Sequence, residues 1–376
     1  MTLSTRRISA VALVVAASVG LAACGSSSSS SSSGSGSSSS GSGTSSSGSS
    51  GGSASISGAG STLAAPIYQQ WGSNLKGQGL TVNYNPVGSG AGIAQLQAGT
   101  VDFAGSDPPE KPAEITAGKG TVAMFPTAFG GITVSYNLAG VRSGLKLDGK
   151  TIADIYLGKI KTWSHPEIKA LNPGVKLPSS SITVVHRSDA SGTTKGFATF
   201  LSDYNPAWTA AAGKPDKTVK WPTGTGAQGN SGVAAAVKQT SGAIGYVEQA
   251  YALQNNFTYA AVKNSTGSYV LPTLAATSAA AVGIKVPANL AISTINSPNA
   301  TAYPIVSQTF LIVYKDMCKA GVTQSAASGV KKFIAYGLGA GQAVEKQLSY
   351  GPPPSGLIAR EQTQLNSLTC NGSPLS

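Results

Sequence analysis

The sequence predicts an α/β fold in two lobes, and three observations lead there. Short β-rich runs alternate with helical stretches, the pattern of sheets with helices on both faces. The folded part runs from about Ile56 to Ser376, roughly 320 residues, which is long for one hydrophobic core and fits two. Three times along the chain, small residues at a strand end give way to a Ser or Thr and then to a helix.

Taken in order, Leu80-Thr-Val-Asn-Tyr-Asn reads as a strand, Ile93 to Ala98 as a short helix, and Val101-Asp-Phe-Ala-Gly as an apolar strand. Gly131-Ile-Thr-Val-Ser-Tyr alternates as a half-buried strand does. Ser181-Ile-Thr-Val-Val-His is a strand feeding a turn and then a helix from Thr193 to Leu201. Gly242-Ala-Ile-Gly-Tyr-Val and Pro304 to Tyr314 are further strands. Ser328 to Leu338 is an amphipathic helix with Val330, Phe333, Ile334 and Leu338 on one side. Ser/Pro/Gly-rich stretches near 173–180, 221–232 and 349–355 read as loops, and no repeat of 20–50 residues is present.

Residues 1–23 have the form of a secretory leader: Arg6 and Arg7, an apolar run from Ile8 to Ala23, then Leu21-Ala22-Ala23 before Cys24. The run is short for a span of about 20 apolar residues. A cysteine directly after Leu-Ala-Ala resembles the bacterial lipobox, which makes Cys24 the lipidated first residue of the mature chain. An ordinary leader with an incidental cysteine is the alternative. Residues 24–56 then form a tether that is almost wholly Ser and Gly up to Ser53. Such a segment cannot offset its ordering entropy by burial, and about 30 residues reach on the order of 30 Å. Lipid anchor and leash together place a soluble domain at the outer face of a membrane.

The leader arginines aside, 24 basic residues face 14 acidic ones, a net charge of +10. That balance suits an anionic partner. The charges are scattered, without basic runs or aromatic interleaving, which argues against nucleic acid and for a small anion or an anionic surface. With Cys24 lipidated, Cys318 and Cys370 are left as an even pair in an oxidising compartment and are expected to form a disulfide. Two buried free thiols are the competing arrangement.

The three strand-to-helix segments are Gly58-Ala-Gly-Ser-Thr62-Leu63, Gly88-Ser89-Gly90-Ala-Gly92 and Ser188-Asp189-Ala-Ser191-Gly192-Thr193. A helix start leaves N–H groups unpaired and carries a partial positive charge, and glycine lets backbone approach a ligand. Each alone is an ordinary N-cap. Three in one secreted chain, with Arg187 ahead of the third, point to an oxyanion site, because a guanidinium offers a planar fork of donors. Asp107, in Gly105-Ser106-Asp107-Pro108, reads two ways. It starts a turn before two prolines, or it accepts the O–H of a protonated oxyanion such as hydrogen phosphate and repels fully ionised sulfate. Asp189 either orients Arg187 or caps the helix near Ser191.

A hydrolase would use His186, Asp189 and Ser191, but these lie within six residues of one strand-turn-helix, and no Gly-x-Ser-x-Gly elbow is present. With only His165 and His186, histidine acid-base chemistry and zinc are poorly supplied, and no metal or cofactor is expected. A phosphate-binding P-loop motif is missing from the sequence. Sulfate or molybdate remains a competing ligand, with Asp107 as the discriminating residue. An adhesin or structural lipoprotein would leave the three anion motifs unexplained.

At these residues the sequence resembles the phosphate-binding protein of bacterial ABC-type phosphate uptake, from about Ser57 to Tyr314. The resemblance rests on Gly-Ala-Gly-Ser-Thr at 58–62, Gly-Ser-Gly-Ala-Gly at 88–92, Thr-Val-Asp-Phe-Ala-Gly-Ser-Asp at 100–107 and Phe-Pro-Thr at 125–127. It continues in Asp-Ile-Tyr-Leu-Gly-Lys-Ile at 154–160, Arg-Ser-Asp-Ala-Ser-Gly-Thr at 187–193 and Gly-Ala-Ile-Gly-Tyr-Val-Glu at 242–248. It implies a two-lobe periplasmic-binding-protein fold of type II, each lobe a mixed sheet flanked by helices, with the ligand in the cleft. Residues 57–131 with 270–376 would make one lobe and 132–269 the other. It further implies phosphate held by Thr62, the backbone N–H of Leu63, Ser89, Asp107, Arg187, Ser191, Gly192 and Thr193, with Asp189 pairing with Arg187. Leu63 stands where some relatives have Phe, a change a backbone contact survives. The implied partners are inorganic phosphate and the transmembrane subunits of an ABC permease; the anchor adds the membrane, a monomer is the default for a clamp, and the poor supply of catalytic groups leads us to expect no enzyme.

Overall fold

The computed structural model describes residues 54–107, 109–110 and 119–375. The leader, Cys24 and the tether to Ser53 lie outside the described residues.

A parallel start is built from β1 (Ala54–Gly60), α1 (Ala65–Lys76), β2 (Leu80–Asn85), α2 (Ser89–Ala98) and β3 (Phe103–Ser106), with β1 between β2 and β3. The long β4 (Val122–Tyr136) follows, then β5 (Lys146–Leu147), α3 (Gly149–Tyr156), α4 (Pro166–Leu171) and β6 (Thr183–Arg187). Next come α5 (Gly192–Tyr204), α6 (Pro206–Ala212), β7 (Thr225–Ala227), α7 (Gly229–Gln239), β8 (Ala243–Glu248) and α8 (Gln249–Gln254). After β9 (Thr258–Tyr259), β10 (Ala261–Lys263), β11 (Tyr269–Val270) and α9 (Leu274–Ala279), the chain returns through β12 (Val306–Tyr314). It ends in α10 (Gln324–Leu338), α11 (Gly341–Gln347), α12 (Ser355–Asn366) and the hairpin β13 (Thr369–Cys370) and β14 (Ser373–Pro374).

The main sheet runs β2-β1-β3-β12-β4-β8-β6-β7, and β9 also pairs with β4. β4 is its spine. Up to Gly131 it pairs antiparallel with β12, and from Ile132 onward with β8. Every residue of β4 and β12 is buried, as expected of strands covered on both faces. One sheet is thus divided at Gly131/Ile132 into two half-sheets, each with its own aromatic cluster. Tyr68, Trp71, Phe103 and Phe333 meet at ring-centroid distances of 5.4–6.2 Å in the first, while Phe197 stacks on Tyr246 at 4.4 Å in the second.

Several expected elements shift. β4 begins nine residues before the expected Gly131, because Pro126 interrupts the strand pattern. The sheet absorbs that proline at a register shift, where Thr309 pairs with Ala128 and Phe310 with Pro126, so a residue without an N–H leaves no ladder donor missing. α2 begins at Ser89 rather than Ile93. Its glycines read against a helix, but Gly92 is needed there: a Cβ would lie 2.4 Å from the Ala59 carbonyl oxygen. The stretch 221–232, expected as loop, holds β7 and the first turn of α7. α10 starts earlier than expected, at Gln324, capped by the Thr323 hydroxyl. Cys318 and Cys370 are disulfide-bonded, with Cα atoms 4.7 Å apart.

Candidate functional site

The carboxyl ends of β1, β3 and β6 and the starts of α2, α5 and α7 converge, and the three small-residue segments explain how closely. At Gly60, φ is +140°, and a Cβ would sit 2.0 Å from the Gly105 carbonyl oxygen. At Gly192 a Cβ would overlap the Asp107 carbonyl oxygen at 1.3 Å. Only glycine lets β6–α5 of one half-sheet press onto the β3 terminus of the other.

Arg187, at the end of β6, is almost fully buried. Its Nε donates to Asp189 Oδ1 at 2.7 Å and its Nη2 to Asp189 Oδ2. Asp189 thus pairs with Arg187 and does not cap α5, and it also accepts from Gly229 N at 3.0 Å. Burial opposes the Asp189 charge, yet the Arg187 hydrogen bonds and charge hold its carboxyl below the usual range. Arg187 Nη1 is buried and has no hydrogen-bond partner among the described residues.

Asp107 follows β3 and is equally buried. Thr309 Oγ1 donates to its Oδ1 at 3.3 Å, and its buried Oδ2 has no hydrogen-bond partner among the described residues. Burial pushes its carboxyl up to about 6; the Ser61 hydroxyl, the Arg187 charge and Thr309 pull the other way, and Glu110 adds to the rise. A fixed cationic donor and a carboxylate oxygen therefore sit in one electrostatic neighbourhood, each with one bond unmade. Leaving such groups unmet costs about 1–3 kcal/mol apiece, more when charged.

The remaining expected residues gather around this pair. Ser89 Oγ accepts from Asp107 N at 3.4 Å and Gly192 N at 3.2 Å. Ser191 caps α5, its Oγ accepting from Thr194 N at 3.2 Å, and Thr193 is buried in the first turn. Thr62 and Leu63 are buried, and their carbonyls accept from Tyr251 and Tyr350 hydroxyls at 2.8 and 2.7 Å. Three residues were missed. Ser61 lies close enough to Asp107 to lower its carboxyl, Thr309 donates to Asp107 Oδ1, and Asn230 joins Thr62 to Thr193. Asn230 lies in the segment read as loop, yet Gly229-Asn-Ser before the apolar Val233, Ala234 and Val237 repeats the small-residue-then-helix design.

The hydrolase arrangement is not assembled. His186 stacks flat on Trp221 at 4.5 Å and its Nδ1 faces the Arg187 carbonyl at 3.0 Å. Asp189 is engaged by Arg187 and Ser191 by the α5 backbone, so neither serves His186. His165 caps α4 through its Nδ1.

Known proteins resemble this chain over most of its length. The PBP superfamily domain matches residues 45–340. The phosphate-binding protein PstS of Pasteurella multocida is 40% identical over 311 residues, 82% of this chain and 88% of that protein. The phosphate-binding protein PstS3 of Mycobacterium bovis is 37% identical over 302 residues, 77% of this chain and 80% of that protein. Among solved structures, a high-affinity periplasmic phosphate-binding protein bound with phosphate aligns at TM-score 0.68 and 22% identity, covering 84% of this chain and 96% of its own. A phosphate ABC transporter substrate-binding protein from Clostridium perfringens aligns at TM-score 0.56 and 22% identity, covering 80% and 100%. The structural likeness establishes the two-lobe α/β fold.

Proposed function

Since this chain belongs to the PBP superfamily and, within it, to the PstS phosphate-binding proteins, we propose that it captures inorganic phosphate outside the cytoplasm and delivers it to an ABC permease. The observation that carries this reading is a pair of buried groups with no hydrogen-bond partner among the described residues, Arg187 Nη1 and Asp107 Oδ2. A ligand that satisfies both must offer an acceptor oxygen and an O–H donor together, and hydrogen phosphate does. Fully ionised sulfate has no proton for Asp107.

In this reading, residues 57–131 with 270–376 form one lobe and 132–269 the other, and they close about the β4 crossing at Gly131/Ile132. Thr62, Leu63 N–H, Ser89 and Asp107 meet the anion from the first lobe. Arg187, Ser191, Gly192 and Thr193 meet it from the second, and Asp189 fixes the guanidinium. Contacts such as Gly192 N to Ser89 Oγ join the two half-sheets, as a closed clamp requires. No step in this account makes or breaks a covalent bond. Lipidated Cys24 and the tether would hold the receptor as a monomer at the outer membrane face. Among the described residues no helix is long and apolar enough to cross a membrane.

The test is equilibrium dialysis of labelled phosphate against the soluble domain begun at Ser53 and stripped of anion. One phosphate bound per chain is expected; none bound overturns the reading.

A further inference from the structure

Asn230 is the second residue of α7 and is fully buried. Its Oδ1 accepts from Glu248 N at 2.9 Å, which fixes the amide orientation, because only the oxygen can face an N–H. Its Nδ2 therefore points the other way, donating to Thr62 Oγ1 at 2.8 Å and to Thr193 Oγ1 at 3.3 Å. Its backbone N–H donates to Thr62 Oγ1 as well, at 3.2 Å. A hydroxyl has two acceptor positions and one proton. Both acceptor positions of Thr62 are thus filled from Asn230, and the hydroxyl is left with its proton alone.

We propose that Asn230 is a positioning residue that locks Thr62, and in part Thr193, as hydrogen-bond donors toward the anion, and that it does so only when the two half-sheets meet. Thr62 follows β1 of the first half-sheet, whereas Asn230 and Thr193 belong to helices on the second. Ser89 is held in the same manner, its two acceptor positions filled by Asp107 N and Gly192 N from opposite halves. Closure therefore converts adaptable hydroxyls into fixed donors. The site then presents bare-oxygen recognition at these points and reserves proton recognition for Asp107. A ligand offering O–H groups to Thr62 and Ser89 finds no acceptor. This inference rests on the phosphate reading above and adds the device that sets donor polarity.

The experiment is a double-mutant cycle on phosphate affinity, measured by calorimetry on the anion-stripped domain: parent, Asn230→Ala, Thr62→Val and the double variant, with Asn230→Asp added. Asn230→Ala is expected to weaken phosphate binding about tenfold in the parent and by no more than about twofold, the share carried by Thr193, in the Thr62→Val background. With Thr62→Ser, which keeps a hydroxyl, the tenfold effect returns. Asn230→Asp turns the Thr62 and Thr193 protons toward a carboxylate and is expected to weaken binding at least a hundredfold. Should that variant fail to fold, the alanine cycle still decides. Equal losses in both Thr62 backgrounds, or unchanged affinity in Asn230→Ala, would overturn the proposal. A parent that binds no phosphate would overturn instead the reading on which it rests.

Discussion

A carboxylate with one oxygen held by Thr309 and the other without a partner among the described residues takes an O–H from a ligand only while it is ionised. Burial lifts the Asp107 carboxyl to about 6, so above that pH it offers only an acceptor and, in the phosphate reading, is expected to repel sulfate. Below it the carboxyl is protonated and becomes a donor that sulfate can use. Sulfate binding, negligible at pH 8, is therefore expected to rise as pH falls through 6, and Asp107→Asn is expected to bind sulfate already at pH 8. Calorimetry with sulfate at both pH values checks each outcome. Arg187→Ala removes a buried charged donor and strands Asp189, so it is expected to cost about 3 kcal/mol or more, roughly two decades of phosphate affinity; near-native affinity would place the site elsewhere. That Thr62, Ser89, Asp107, Arg187, Ser191, Gly192 and Thr193 converge was legible because each sits in a short segment whose glycines and hydroxyls have a local reason. Ser61, Thr309 and Asn230 act by long-range contact. Thr309 lies 202 residues from Asp107, and its one sequence trace is the polar Ser307-Gln308-Thr309 inside an apolar strand.

Among the elements, α11 and α12 bury Glu345 and Glu361, whose carboxylate oxygens have no hydrogen-bond partner among the described residues. Burial raises both well above the carboxylate range, and the Glu361 charge raises Glu345 further. An acid with a raised folded pKa keeps a proton that the unfolded chain has released, so stability falls as pH rises above the ordinary carboxylate value. Glu361→Gln is expected to raise the melting temperature at pH 8 and leave it unchanged near pH 4, as thermal unfolding at the two pH values would reveal. The Cys318–Cys370 bridge pins the terminal hairpin beside Asp316, whose carboxylate also accepts from Asn371 N and Gly372 N. Closing a loop of 52 residues contributes about 4 kcal/mol in the chain-entropy model. A Cys318→Ser, Cys370→Ser variant is expected to lose about that much in denaturant unfolding, and thiol titration of the unreduced, denatured domain to find no free thiol. The amphipathic helix α10 and the alternating strand end of β4 were legible from periodicity. The first half of β4 was not, because a proline in a central strand is tolerated only where another strand shifts register to meet it.

For the whole molecule, one strand runs through two half-sheets, and in the proposed clamp that continuous backbone would serve as the hinge. The alternation of strands and helices made the α/β class legible, and length suggested two lobes. Neither tells which strand is shared, since β12 reaches β4 across the 169 residues between Tyr136 and Val306. If the halves separate about Gly131/Ile132 and Asn230 joins them only when shut, adding phosphate should compact the stripped domain. Small-angle scattering is expected to record a smaller radius of gyration with phosphate and no change with sulfate at pH 8.

The most direct test of the central claim, that the site selects a protonated oxyanion, is calorimetric titration of the stripped domain with phosphate and then sulfate at pH 8. The account predicts tight one-to-one phosphate binding and no sulfate heat. Sulfate binding comparable to phosphate would contradict it.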